Sequence, residues 1–158
     1  MKAWDLGHII THYVNEKGDR VSHKKLQKLL FYVEAWHLVN FGEPILNEDF
    51  QAWMHGPVVP ELYQDLKEFG FNNLKVINDI EETVDKEIEA IIIKNKIEDK
   101  VEFIHSVLDN YGSLSSFDLE LLSHSEKPWL DARGRCLPHE RCTTVISKKS
   151  MLEFYSSL

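Results

Sequence analysis

The stretch from Ser22 to Asn40, SHKKLQKLLFYVEAWHLVN, constrains the fold more than any other part of this chain. Leu26, Leu29, Leu30, Val33 and His37 recur at three- and four-residue steps, the period of an α-helix. Phe31, Tyr32, Ala35, Trp36, Leu38 and Val39 fill most of the remaining circumference. A helix that is apolar nearly all round is wrapped by its neighbours, so this one is expected at the centre of the fold. Ser22 is the expected N-cap. Only the first turn, with His23, Lys24, Lys25 and Lys28, reads as solvated.

The flanking segments carry the same period. Ala3, Leu6, Ile9, Ile10, Tyr13 and Val14 predict an amphipathic helix that stops before Gly18. Ile97 to Tyr111 predicts another, with Val101, Ile104, Val107 and Leu108 inward. Ser115 or Ser116 can cap a short helix through Leu122, and Lys127 starts one with Pro128 at a tolerated early position. Ser147 caps a last helix, Lys148 to Tyr155. The acidic, isoleucine-rich stretch from Asn72 to Lys96 is expected to be helical through Ile80, Val84, Ile88 and Ile91, although its AIII run has β character too. Two short β candidates remain, Phe50–Met54 and Thr143–Ile146. The expectation is a mainly α, compact helical bundle with a small β element near residues 50–54 and 143–146. It is expected to be a single domain over residues 1–158, a length that buries roughly 70% of the unfolded surface without staples.

Between these elements lies AWMHGPVVPELY, Ala52 to Tyr63. Gly56 admits a tight turn, Pro57 fixes the next φ near −65°, and Pro60 suits the first turn of a helix running to about Phe69. This predicts a rigid corner between a short strand and a helix, flanked by Trp53 and Tyr63. An architectural role for the corner is the favoured reading.

Composition and spacing exclude several classes. The formal net charge of −8 argues against nucleic-acid binding, which needs basic surface. No apolar run approaches ~18 residues, so no membrane-spanning helix is expected. The N-terminal MKAWDLGHII lacks a signal-peptide pattern, so a cytoplasmic setting with reduced Cys136 and Cys142 is expected. Cys136, His139 and Cys142, with His124 or His105 as a fourth ligand, do not make the paired knuckles of a zinc site, so no metal is expected. No nucleophile elbow, zinc-protease motif or phosphate loop occurs, so neither a catalytic residue nor a cofactor is assigned. The lysines of the first turn oppose the helix dipole by ~0.3–1 kcal/mol, an arrangement that invites an anion or a partner's carboxylates.

Three segments taken together resemble one family. They are KKLQKLLFYVEAWHLVNFGEPIL, FQAWMHGPVVPELYQDLK and DNYGSLSSFDLELLSHSEKPWLDAR. Their order and spacing are similar to the Panacea domain, the SocA-like antitoxin family, also found in phage-associated proteins. The resemblance runs from about Trp4 to Tyr155. Its motif positions here are Leu26, Gln27, Leu29, Leu30, Tyr32, Trp36, Gly56, Pro57, Pro60, Pro128, Trp129 and Arg133, which are expected to build a shared scaffold. It implies a bacterial or phage antitoxin that binds and silences a toxin encoded nearby. The alternatives are an adaptor that delivers the toxin to a protease and, least favoured, a DNA-binding regulator. The expected partner-binding surface joins Lys24, Lys25 and Lys28 to Trp53, His55 and Tyr63. Arg133, four positions after Trp129, is expected to make a cation–π or carboxylate contact on the same helical face.

Overall fold

The computed structural model describes residues 1–69 and 81–158. Among them are eight α-helices: α1 (Ala3–Glu16), α2 (His23–Phe41), α3 (Pro60–Leu66), α4 (Glu81–Asn95), α5 (Val101–Tyr111), α6 (Ser116–Ser125), α7 (Lys127–Arg133) and α8 (Lys148–Ser156). Three short strands, β1 (Phe50–Trp53), β2 (Gly56–Val58) and β3 (Val145–Ile146), make an antiparallel sheet in the order β2-β1-β3. The chain is mainly α and compact. The predicted helix over 72–96 appears as α4 from Glu81, its AIII run helical; positions 72–80 of that stretch lie outside the described residues.

Helix α2 is the axis, as its all-round apolarity predicts. Leu29, Leu30, Tyr32, Val33 and Ala35 are fully buried, and α1, α5, α6, α8 and β2 all pack on it. Two acidic groups inside this core are held by donors. The Glu34 carboxylate takes the N–H groups of Ile45 and Leu46 at 3.0 Å each and the Lys148 ammonium at 2.7 Å, tying α2 to the following loop and to α8. A buried charge is tolerable only when it is so surrounded. Glu126, just ahead of α7, accepts from the Tyr32 hydroxyl; burial pushes its carboxyl above the usual range. Tyr32 in turn stacks on Tyr111 at 4.2 Å, and the Trp36 N–H donates to the Tyr111 hydroxyl at 3.0 Å.

Three expectations need correction. The first turn of α2 is not solvated: Lys24 is exposed, but His23, Lys25 and Lys28 are buried. Chain from residues 53–63 folds back over His23 and Lys28, so these side chains, which look wet in sequence, become an inner wall. The corner after Trp53 is a hairpin, with Trp53 opposite Gly56, Ala52 opposite Pro57, and β3 on the far side of β1. Pro57 is tolerated because β2 is an edge strand. Finally, Cys136 and Cys142 are joined as a disulfide instead of standing reduced. Their Cα atoms are 6.1 Å apart, within bridging range, because Arg133 gathers the intervening loop by its carbonyls.

Candidate functional site

Pocket walls come from three separated parts of the chain, carrying four elements. His23, Lys24, Gln27 and Lys28 project from the start of α2. Trp53, Met54, His55 and Val58 come from the hairpin, Tyr63 from α3 and Arg141 from the disulfide-closed loop. Together they enclose about 280 Å³.

Gln27 fixes the distance between α2 and the hairpin. Its side-chain amide accepts from Val59 N at 2.8 Å and donates to Val59 O at 3.4 Å, pairing with the backbone where β2 hands over to α3. The same Nε2 lies 3.0 Å from His23 Nε2, which must therefore accept and stay unprotonated. Burial, and then the Lys28 charge, lower the His23 pKa accordingly. His23 also lies against Tyr63, whose ring meets Trp53 edge-on at 4.9 Å. The Arg141 guanidinium sits 4.1 Å above the Trp53 ring, and the indole N–H is held by Gln51 at 2.8 Å. Trp53 is thus a fixed aromatic wall with a cation on its face.

The hairpin is held from behind by α7. Trp129 donates from its indole to Trp53 O at 2.9 Å, and Arg133 donates to Ala52 O at 3.3 Å, to Glu140 O at 2.8 Å and to Leu137 O. Arg133 also lies 5.4 Å from the Trp129 ring, so the predicted cation–π pair forms alongside an unforeseen clamp of loop carbonyls. His124 stacks on Trp129 at 3.9 Å.

Lys28 is the unusual group. Its residue is 2% exposed, and its ammonium donates to Lys24 O at 3.2 Å. Among the described residues no carboxylate pairs with it; Glu120 is nearby but bonded to His55 at 3.1 Å. Burial lowers its pKa to about 8, only partly opposed by Glu120. Gly56 is what admits it: a Cβ there would stand 3.1 Å from Lys28 Cε and 3.3 Å from Ser123 Oγ, on a backbone with φ of +118°.

Five of the six sequence-predicted contact residues, Lys24, Lys28, Trp53, His55 and Tyr63, line this one pocket. Lys25 does not; it is buried elsewhere on the same turn, its pKa lowered by burial against the charge of Asp19. Met54, Val58 and Arg141 were missed. Nothing local to CLPHERC marks Arg141 as part of a site 78 or more residues away in sequence. The cysteine pair offers no thiolate ligands while joined. Among the described residues, His12, Glu16 and Asp85 are the group spaced to hold a cation, with His12 3.2 Å from Asp85 and 3.6 Å from Glu16. No helix among the described residues is long and apolar enough to cross a membrane.

Fold and pocket define a small helical scaffold whose motif-bearing segments converge on one hairpin. The chain belongs to the SocA-like antitoxin family: the model of the antitoxin SocA-like, Panacea domain matches residues 26–130. It is 35% identical over 114 residues to antitoxin SocA of Caulobacter vibrioides (strain NA1000 / CB15N), covering 69% of this chain and 58% of that relative. No solved structure gives a significant match.

Proposed function

We propose that this chain is a cytoplasmic antitoxin, folding as one domain, that neutralises a protein toxin encoded beside it by direct binding. The observation that carries this reading is the convergence of Lys24, Lys28, Trp53, His55 and Tyr63 on one pocket from segments far apart in sequence. Rigid aromatics beside desolvated charge are the composition of interface anchors. The similarity to antitoxin SocA supports the antitoxin role, while the pocket supports binding through this face. A complete interface would bury about 1,200–2,000 Å², with the pocket at its centre.

The test is growth rescue combined with co-purification. The adjacent open reading frame is expressed alone, then with this protein carrying a tag. The expected result is toxicity alone, rescue together and an equimolar complex. Trp53→Ala and Lys24→Glu are expected to weaken that complex at least tenfold without unfolding the protein. Rescue without a complex, dependent on a cellular protease, would establish the adaptor mechanism instead. A complex indifferent to both substitutions would move the interface elsewhere on the scaffold.

A further inference from the structure

Building on the proposed contact face, we infer that the pocket receives an acidic side chain of the partner, flanked by an apolar one, with the carboxylate seated on Lys28. Charge distribution carries the argument. The chain has 26 acidic residues against 18 lysines and arginines, yet among the described residues the pocket is lined by Lys24, Lys28 and Arg141 and by no carboxylate. Lys28 is 98% removed from solvent, and among the described residues its ammonium keeps one carbonyl contact, leaving donors without partners there. A desolvated ammonium lacking a counter-ion is a costly arrangement that a docked carboxylate would relieve.

The walls specify the rest of the occupant. Trp53, Met54, Val58 and Tyr63 present mostly apolar surface in front of Lys28, which suits an aliphatic or aromatic neighbour of the acid. At about 280 Å³ the cavity is at the small end of ligand sites, which run from ~300 to ~1,000 Å³, so it fits side chains and not a whole cofactor. Lys24 and Arg141 stand exposed at the rim, as suits a partner chain that continues past the pocket with further acidic residues.

The probe is a blocked tripeptide, acetyl-Leu-Glu-Phe-amide, titrated into the isotope-labelled full chain and followed by NMR at the Trp53 indole N–H. Saturable shifts are expected in the millimolar range, with the glutamine analogue at least fivefold weaker. Lys28→Met should abolish that discrimination while the spectrum stays folded. Lys24→Ala and Arg141→Ala, both at the exposed rim, should reduce affinity by no more than about threefold. Equal binding of the glutamate and glutamine peptides would overturn the inference, as would the absence of shifts at the pocket. So would discrimination that survives Lys28→Met but is lost in the rim variants. If the glutamine peptide with a free C-terminal carboxylate bound more tightly than the glutamate amide, the occupant would be a chain end and the side-chain assignment would fail. None of these measurements needs the toxin. A failed growth rescue with intact peptide discrimination would sink the antitoxin reading and leave the pocket's chemistry standing.

Discussion

Replacing Lys28 by methionine should make the protein more stable. Lys28 has its pKa lowered from 10.5 to about 8, and burial is the main cause. At 1.36 kcal/mol per unit, this places a penalty of about 3 kcal/mol on the native state at neutral pH. Below pH 8 the lysine is charged in both states and the penalty is complete. Between pH 8 and 10.5 the unfolded chain still binds the proton while the folded one has released it, so stability rises with pH. Above 10.5 nothing remains to relieve. Methionine follows the path of the lysine stem and carries no charge. The Lys24 carbonyl, which loses the ammonium, keeps its helical N–H partner. Lys28→Met should therefore gain about 2–3 kcal/mol at pH 7, raising Tm by roughly 5–10 °C for a chain of this size. Urea denaturation of both proteins at pH 7 and pH 10 isolates the effect, since titrations shared by both cancel in the difference. The gain should shrink toward zero at the higher pH. A variant less stable than wild type at pH 7, or a difference that does not change with pH, would refute the idea of an uncompensated buried ammonium.

Gly56→Ala should cost roughly 2–3 kcal/mol in the same assay, because φ of +118° is glycine's territory and the new methyl meets Lys28 Cε. Little loss would mean the hairpin turn relaxes freely. Glu126→Gln should stabilise the protein at pH 7: burial raises the native carboxyl's pKa, so its contribution is favourable below the unfolded value and is lost as pH rises through the folded one. The advantage of glutamine, which still accepts from Tyr32, should narrow as pH falls toward 4.5, read by thermal melts across that range. Reducing the Cys136–Cys142 bridge should cost about 2 kcal/mol by freeing a short loop, and should speed amide exchange at Arg141 more than at Leu30. Uniform exchange at both sites would show that the bridge does not govern the loop.

Sequence periodicity gave most of the fold. Alternation around 3.6 residues located α1, α2 and α5 because their apolar faces meet one continuous core. Capping signals did the same for α6 and α8, where Ser115 and Ser147 accept from backbone N–H groups as their positions suggest. Hairpin formation was not legible, since a three-residue strand containing Pro57 has no period and its pairing depends on β1 alone. Nor was the burial of Lys25 and Lys28. Lysine near a helix start defaults to water; for Lys28 the return of the hairpin across α2 reverses that, while Lys25 is buried on another side of the turn. Arg141 was illegible for the same reason: its place over Trp53 is set by Arg133 and the disulfide, not by its neighbours.

The three segments that carry the family resemblance are one mechanical unit. From α2, Gln27 holds Val59 and Lys28 packs on Gly56; from α7, Trp129 and Arg133 hold the carbonyls of Trp53 and Ala52. The motif residues Gln27, Trp129 and Arg133 thus fix this backbone and not a side chain's chemistry. Gly56 must lack a Cβ so that Lys28 can pass, and Pro57 tolerates the edge so that β1 alone bears the ladder. A backbone held this firmly leaves side chains at the rim free to vary without loss of the fold. Lys24, His55 and Arg141 are exposed and contribute no core packing. Substitution there is expected to cost little stability, whereas substitution at Gln27 or Arg133 would release the frame that presents the pocket. Lys28 belongs to neither group. It lies inside the frame, yet carries a charge that the frame does not neutralise, so a scaffold selected for stability alone would have replaced it with methionine or leucine.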